Sequence, residues 1–189
     1  KLNNLNLKLL VNKFYNDTYA FDQNACSSPH LIFWIGKQNK IAREKFWNNL
    51  QELVEKKYTL PEKAVYDKFS KFCLDSTVLK DLKSQKKYGE MIYTVNLKKI
   101  DKKIENLRGK WGYFYEHEIK HMNEIKKVLN NKFQTLTYFG ITKEKLEAFA
   151  KSNLLGIDRI VPVGQALEIS LVWDGYDINK TLTRVVDIK

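Results

Sequence analysis

Hydrophobic positions along the chain switch repeatedly between helical spacing and a strand-like pattern. Helical spacing predicts helices over residues 5–15, 41–57, 61–74, 123–129 and 142–153. Strand-like runs predict strands over residues 31–35, 91–97, 112–119, 133–139 and 159–163. Because both kinds of element mix along one chain, the pattern is typical of an α/β layer architecture. No internal repeat or Gly-rich linker divides it, so we expect one compact domain over residues 1–189.

Particular residues within these helices have predicted places. The apolar stripe of the first helix is predicted to include Leu5, Leu9, Val11 and Tyr15. Pro61 suits the first helical position of the third helix, where its missing N–H has no cost. Thr142 suits the N-cap of the last helix.

The composition favours a soluble protein: 43% of the residues are hydrophobic and 29% are charged. No apolar run approaches the ~20 residues of a membrane helix, since the run of residues 31–35 stops at Gly36. The chain starts at Lys1 with neither an initiator Met nor a signal peptide, so we expect it to be part of a longer protein. Two cysteines far apart in sequence favour free thiols and a cytoplasmic location.

The formal net charge of +11 raises the question of a nucleic-acid partner. The cations are nearly all Lys, interleaved with Asp, Glu and Asn, whereas base and phosphate recognition favours the bidentate Arg side chain. We therefore predict no nucleic-acid binding. A basic surface still suits the phosphates of coenzyme A or of a nicotinamide dinucleotide.

Two common kinds of site lack support in the sequence. The glycines never form G-x-G-x-x-G or G-x-x-x-x-G-K, so no phosphate-binding loop is predicted. His117 and His121 have the i, i+4 spacing of metal ligands on a helix, but residues 112–119 are predicted as a strand, which would point them apart. We interpret them as polar residues at a strand-to-helix junction and predict no metal site.

The two cysteines differ in their surroundings. Cys73 has helical spacing with Phe69 and Phe72, which predicts a small apolar core residue. Cys26 lies in a polar, turn-like segment between a predicted helix and a buried strand, and such loops present reactive groups. A thiol there becomes a nucleophile when backbone dipoles or cations stabilise the thiolate, although the spacing assigns no His or Asn partner.

Several segments together resemble one enzyme family. Residues 19–29, YAFDQNACSSP, followed by the strand at 31–36, resemble the active-cysteine segment of acyl-CoA reductases, including the fatty-acid reductase of bacterial bioluminescence systems. Residues 133–140, FQTLTYFG, and residues 156–167 with 173–177 resemble later parts of the same family in the same order. The resemblance spans essentially the whole chain.

The resemblance implies a three-layer catalytic domain of aldehyde dehydrogenase type, with a central, mostly parallel sheet. A preceding nucleotide-binding domain would be absent from this chain. Cys26 would be the nucleophile that attacks a fatty acyl-CoA thioester and expels coenzyme A. NADPH would then reduce the acyl-cysteine to a fatty aldehyde, so the chain alone would be inactive. Its Cys26 N–H would form half of an oxyanion hole.

One departure leaves the cofactor contacts open. Residues 107–114 lack the Glu of the Glu-x-Phe-Gly-Pro segment that holds the nicotinamide ribose in aldehyde dehydrogenases, so the cofactor-binding residues are unknown. An aldehyde or semialdehyde dehydrogenase is a rival within the superfamily, and a basic, non-catalytic binding module is a rival from another class.

The tail is rich in β-branched residues, which favour strands. In the resembled family the closing strand helps to join subunits. We therefore expect residues 182–189 to form an oligomerisation strand, with residues 184–189 adding to a sheet edge of the missing half or of a second subunit. The alternative is that they complete the domain's own sheet.

Overall fold

The computed structural model describes residues 4–36, 39–101 and 103–188. The α-helices are α1 Asn4–Tyr19, α2 Asn39–Lys57, α3 Glu62–Val78, α4 Lys143–Ala150 and α5 Ile178–Leu182. The strands are β1 Leu31–Ile35, β2 Leu82–Tyr88, β3 Ile92–Leu97, β4 Tyr113–Ile119, β5 Thr135–Tyr138, β6 Arg159–Pro162, β7 Val172–Trp173 and β8 Tyr176–Asp177. Two 3₁₀ helices cover Ile104–Asn106 and Met122–Lys127.

The main sheet has the strand order β1-β4-β3-β2. β1 and β3 both pair in parallel with β4, where Tyr115 lies opposite Leu31 on one side and Val95 on the other. β2 joins the edge antiparallel to β3. A second, parallel pair is formed by β5 and β6, and a short antiparallel hairpin by β7 and β8. The predicted α/β class with a mostly parallel central sheet is confirmed.

Helices cover both faces of the main sheet. Successive β4 side chains point to opposite faces, so each face offers aromatic side chains for a helix to pack on. Phe114 faces α1 and α2, with its ring centroid 5.4 Å from Phe14 and 5.0 Å from Trp47. Tyr115 faces α3, where its hydroxyl donates a 2.6 Å hydrogen bond to the buried carboxylate of Asp75. The core therefore lies on both sides of β4.

The edge strand β2 was missed because its sequence, LKSQKKY, lacks the apolar alternation of a half-buried strand. β2 is a strand because it pairs with the fully buried β3, and its own composition does not favour that conformation. Lysines on an edge strand discourage pairing with another chain, so β2 protects this side of the sheet.

The predicted apolar stripe of α1 is partly wrong. Val11 is buried as predicted, but Leu5 and Leu9 are 77% and 56% exposed. The buried face instead runs through Leu7, Leu10 and Phe14. Leucines occur all around this helix, so only its packing against the sheet decides which of them is covered.

Two predicted helix starts lie close to their predicted positions, with differences in the capping residue or its hydrogen bonds. Pro61 occupies the N-cap of α3, one position before the first helical residue. Thr142 occupies the N-cap of α4 as predicted, but its side chain makes no capping hydrogen bond. The helix predicted over residues 123–129 is a 3₁₀ helix.

The tail does not complete the domain's own sheet. Residues 184–188 form neither helix nor strand, and Val185 is 97% exposed; Lys189 lies outside the described residues. Strand propensity produces a strand only where a neighbouring strand supplies hydrogen-bond partners. Among the helices of the described ranges, none has the length and apolar character needed to span a membrane.

Candidate functional site

Cys26 lies in the loop between α1 and β1, and its side chain is exposed. The loop folds through two tight turns: the Asn24 N–H donates to the Phe21 carbonyl at 2.7 Å, and the Ser28 N–H donates to the Ala25 carbonyl at 3.0 Å. No described residue accepts a hydrogen bond from the Cys26 N–H, so this donor can serve a ligand. The predicted nucleophile thus stands on a compact loop of the kind expected.

The start of this loop has an uncommon backbone conformation. Asp22 and Gln23 have φ angles of 54° and 60°, in the left-handed region that side chains other than glycine rarely adopt. The backbone carbonyl of Asp22 accepts a 3.1 Å hydrogen bond from the Trp111 N–H. The side-chain carboxylate of Asp22 accepts a 2.5 Å hydrogen bond from the Tyr58 hydroxyl. Burial and the Asp22 carboxylate raise the pKa of Tyr58, so this hydroxyl remains a donor. These contacts connect the loop to the residue that follows α2 and to the turn that precedes β4.

The side chain of Gln23 is fully buried beneath the same loop. Its Nε2 donates to the carbonyls of Pro29 at 2.8 Å and Tyr113 at 2.9 Å. Its Oε1 accepts from the backbone N–H groups of Gly112 and Tyr113, both at 3.0 Å. The amide therefore uses both donors and both acceptor positions, and it joins the exit of the Cys26 loop to β4.

The other side of the Gly112 turn is held by Lys68 of α3. Its Nζ donates to the carbonyls of Met91 at 3.0 Å and Trp111 at 2.8 Å and lies 4.7 Å from the ring centre of Tyr93. The side chain is almost completely buried, and burial lowers the pKa of Lys68 from 10.5 to about 7. The charge of Glu90 opposes this shift and that of Lys87 adds to it.

A cleft of about 880 Å³ opens beside Cys26, between β1 and β5. Aromatic and aliphatic side chains form much of its lining, among them Leu31, Phe33, Phe133, Leu136 and Phe149. Such a lining binds an apolar ligand by removing its hydrocarbon surface from water.

The charged groups lining the cleft are mostly cations: Arg108, Lys120, Lys126, Lys132 and Lys145. Glu105 is the single carboxylate among the described residues of this lining, and it pairs with Lys132 at 3.2 Å. The cleft therefore combines an apolar surface with a net positive charge, which favours an anionic ligand with a hydrocarbon part.

His30 also lines the cleft, four residues after Cys26, and sequence reasoning missed it. The Arg108 Nη2 lies 3.0 Å from the His30 Nε2. Because a guanidinium can only donate, this imidazole nitrogen accepts. Burial first, and then the Arg108 charge, lower the pKa of His30 to about 4, with the Gly109 backbone opposing the shift. His30 is therefore neutral at pH 7.

The two histidines weighed as metal ligands have separate structural roles. The Nδ1 of His117, on β4, lies 2.9 Å from the Leu97 carbonyl oxygen. His121 caps the 3₁₀ helix that follows, and the Glu124 carboxylate accepts from its backbone N–H at 2.9 Å. Within the part of the chain that the structure describes, no group of His, Cys, Asp or Glu side chains has the arrangement of a metal site.

The prediction that Cys73 is a core residue is wrong, because its side chain is exposed on α3. Phe69, with which it was grouped, is 49% exposed. The face of α3 that packs on the sheet carries polar side chains, Lys68 and Asp75, which bond to backbone carbonyls and tyrosine hydroxyls. Of the predicted stripe, only Phe72 packs against the core, with its ring centroid 5.0 Å from that of Tyr93.

The chain is therefore an α/β protein with a mostly parallel sheet, in which one loop presents an exposed cysteine beside an apolar cleft lined by cations. A family model described as acyl-CoA reductase (LuxC) matches residues 3–185. The chain belongs to this acyl-CoA reductase family. The comparison with curated proteins gave no match. The family resemblance of the sequence segments is thereby confirmed.

Proposed function

We propose that this chain provides the acyl-transfer site of an NADPH-dependent acyl-CoA reductase, with Cys26 as the nucleophile. The observation that carries the proposal is the position of Cys26 on the wall of the apolar, cation-lined cleft. A fatty acyl-CoA has both chemical parts that this cleft suits, a hydrocarbon chain and a phosphate-bearing carrier. The family match supports the same substrate class.

The acyl-transfer step is an exchange of thioesters. The Cys26 Sγ, as thiolate, attacks the thioester carbonyl carbon and forms a new S–C bond. The resulting oxyanion would accept a hydrogen bond from the Cys26 N–H, which bonds to no described backbone carbonyl. Collapse breaks the bond to the coenzyme A sulfur, which leaves as the thiolate and is protonated from solvent. The step consumes no reductant and leaves an acyl group on Cys26.

NADPH would supply the hydride that reduces this acyl group to an aldehyde. The sequence has no glycine-rich phosphate-binding loop, and two of its glycines are used for close chain packing. A Cβ at Gly109 would collide with Tyr113, and one at Gly156 with the backbone of Asn130. We therefore assign no residue of this chain to NADPH and no reduction step to it. A separate nucleotide-binding domain, an aldehyde dehydrogenase relationship, homo-oligomerisation and a cytoplasmic location remain parts of the proposal.

Mass spectrometry of the purified chain after incubation with dodecanoyl-CoA tests the acyl-transfer step. We expect one hydroxylamine-labile dodecanoyl group on the peptide that contains Cys26. Cys73→Ser is the matched control, since it removes the other exposed thiol and should be acylated normally. Acylation that persists in Cys26→Ser, or no acylation of the unaltered chain, would refute the proposal.

A further inference from the structure

We propose that Gln23 is the positioning residue of this site: its buried amide sets the geometry in which Cys26 meets a thioester. This inference rests on the proposed function. Cys26 lies three residues after Gln23 and three before Pro29, whose carbonyl the Gln23 amide binds. The reactive residue therefore stands at the middle of a short segment closed by one side chain.

The closure is anchored at both ends. The backbone N–H of Gln23 donates a 2.7 Å hydrogen bond to the Thr18 carbonyl, which ties the loop start to α1. The side chain then reaches the first residue of β4, Tyr113, as both donor and acceptor. Because β4 is flanked by strands on both sides, it provides a rigid reference for the loop.

The chemistry of the side chain is specific to an amide. Two carbonyls, of Pro29 and Tyr113, need donors, and two N–H groups, of Gly112 and Tyr113, need acceptors. An ionised carboxylate has the same size but only accepts. In Gln23→Glu, one carboxylate oxygen would therefore face two carbonyl oxygens without a donor. Protonation would restore one donor, so the defect should lessen as the pH falls.

The local backbone also needs this anchor. Asp22 and Gln23 hold left-handed φ angles of 54° and 60°, a conformation that is strained for residues other than glycine. Such a conformation persists when surrounding contacts over-determine it. Loss of the Gln23 amide would let the segment relax, and Cys26 would move away from its place on the cleft wall.

The test compares two reactions of Cys26 in the unaltered chain, Gln23→Glu and Gln23→Asn. Acylation by dodecanoyl-CoA requires a defined approach of sulfur to carbonyl, and a displacement of ~1 Å costs such reactions up to ~100-fold. Alkylation by iodoacetamide is far less demanding. We expect both variants to lose at least about tenfold in acylation rate and to change less than about threefold in alkylation rate. The Gln23→Glu deficit should shrink between pH 8 and pH 6 relative to the unaltered chain.

Gln85→Met is the matched control. The Gln85 amide donates to the Phe72 carbonyl at 2.9 Å, away from the Cys26 loop, so its loss should lower stability without changing the acylation rate. Cys73 serves as an internal reference for alkylation, and thermal unfolding shows which variants are folded. If Gln23→Glu does not fold, Gln23→Asn, which keeps the amide on a shorter arm, decides the question.

Folded Gln23 variants that are acylated at the unaltered rate would overturn the inference and leave the proposed function intact. A fall in acylation matched by an equal fall in alkylation would also overturn it, since that result indicates a hidden thiol. An unaltered chain that is not acylated at Cys26 would instead overturn both proposals.

Discussion

Replacing Lys68 by Met should alter how the stability of the protein depends on pH. Burial lowers the pKa of Lys68 from 10.5 in the unfolded chain to about 7 in the fold. Between these values the unfolded chain binds a proton that the folded protein does not. The free energy of unfolding therefore rises with pH across this window, by up to about 1.4 kcal/mol per pH unit.

The size of the effect follows from the same two values. Between pH 7 and pH 9.5 the linkage amounts to about 3 kcal/mol for this single group. For a chain of this length that corresponds to a rise of roughly 6–12 °C in Tm. A neutral amine still carries two N–H donors, which match the carbonyls of Met91 and Trp111. The contacts of Lys68 therefore survive the loss of its proton.

Lys68→Met removes both the titration and the two donors. At pH 9.5 the variant should be less stable than the unaltered chain by about 1–3 kcal/mol, because two carbonyls lose their partners. As the pH falls to 7, the unaltered chain loses about 3 kcal/mol of stability that the variant does not lose, so the variant becomes as stable as the unaltered chain or more stable. Tyrosine pKa values raised by burial, as at Tyr113 and Tyr115, act only near pH 10 and above, so measurements stop at pH 9.5.

Urea unfolding at pH 7, 8, 9 and 9.5 provides the measurement. Lys63→Met, an exposed position on the same helix, is the control and should follow the unaltered chain at every pH. Parallel stability profiles for Lys68→Met and the unaltered chain would refute the reasoning, since they would show that Lys68 does not titrate differently in the fold.

Two further predictions concern the reduction step and the C-terminal tail. The purified chain should oxidise no NADPH in the presence of dodecanoyl-CoA, as followed by absorbance, because its sequence contains no phosphate-binding glycine motif; measurable turnover would contradict this. Deleting residues 184–189 should leave Tm nearly unchanged, since residues 184–188 pair with no strand and Val185 and Ile188 are 97% and 89% exposed. On the proposal that the tail joins subunits, the same deletion should weaken self-association, measured by light scattering. A large fall in Tm of the chain itself would show that the tail belongs to its core.

Periodicity predicted the elements whose own residues carry the signal. The strand at residues 31–35 and the helix at residues 41–57 match β1 and α2 closely in position, because an apolar run and an apolar face mark them. The prediction that the strand is buried is wrong: β1 is half-buried because it lines the cleft, and Ile35 is 40% exposed. β2 was missed, since a neighbour and not its own composition makes it a strand. The tail was predicted as a strand from composition, but residues 184–188 lack the partner that a strand needs.

The candidate site likewise has a part that the sequence indicates and a part that only the fold reveals. The segment around Cys26 could be proposed as the site from its own sequence, because the family resemblance there is carried by consecutive residues. The partners of that segment could not, since Gln23 binds Tyr113, 90 residues away, and Tyr58 reaches Asp22 across 36. Nothing in the local pattern distinguishes this buried amide side chain from the exposed amide of Asn24 beside it.

By itself, the sequence determined the α/β class, the family and the loop that presents Cys26, because these depend on local periodicity and on contiguous motifs. The tertiary structure alone decided that Cys73 is exposed, that Lys68 is buried with a lowered pKa, and that β1 and β5 enclose a cleft beside Cys26. The physical reason is that burial and pairing are properties of residues brought together from distant parts of the chain. A lysine on an amphipathic helix becomes a buried donor only when two carbonyls from other elements close over it.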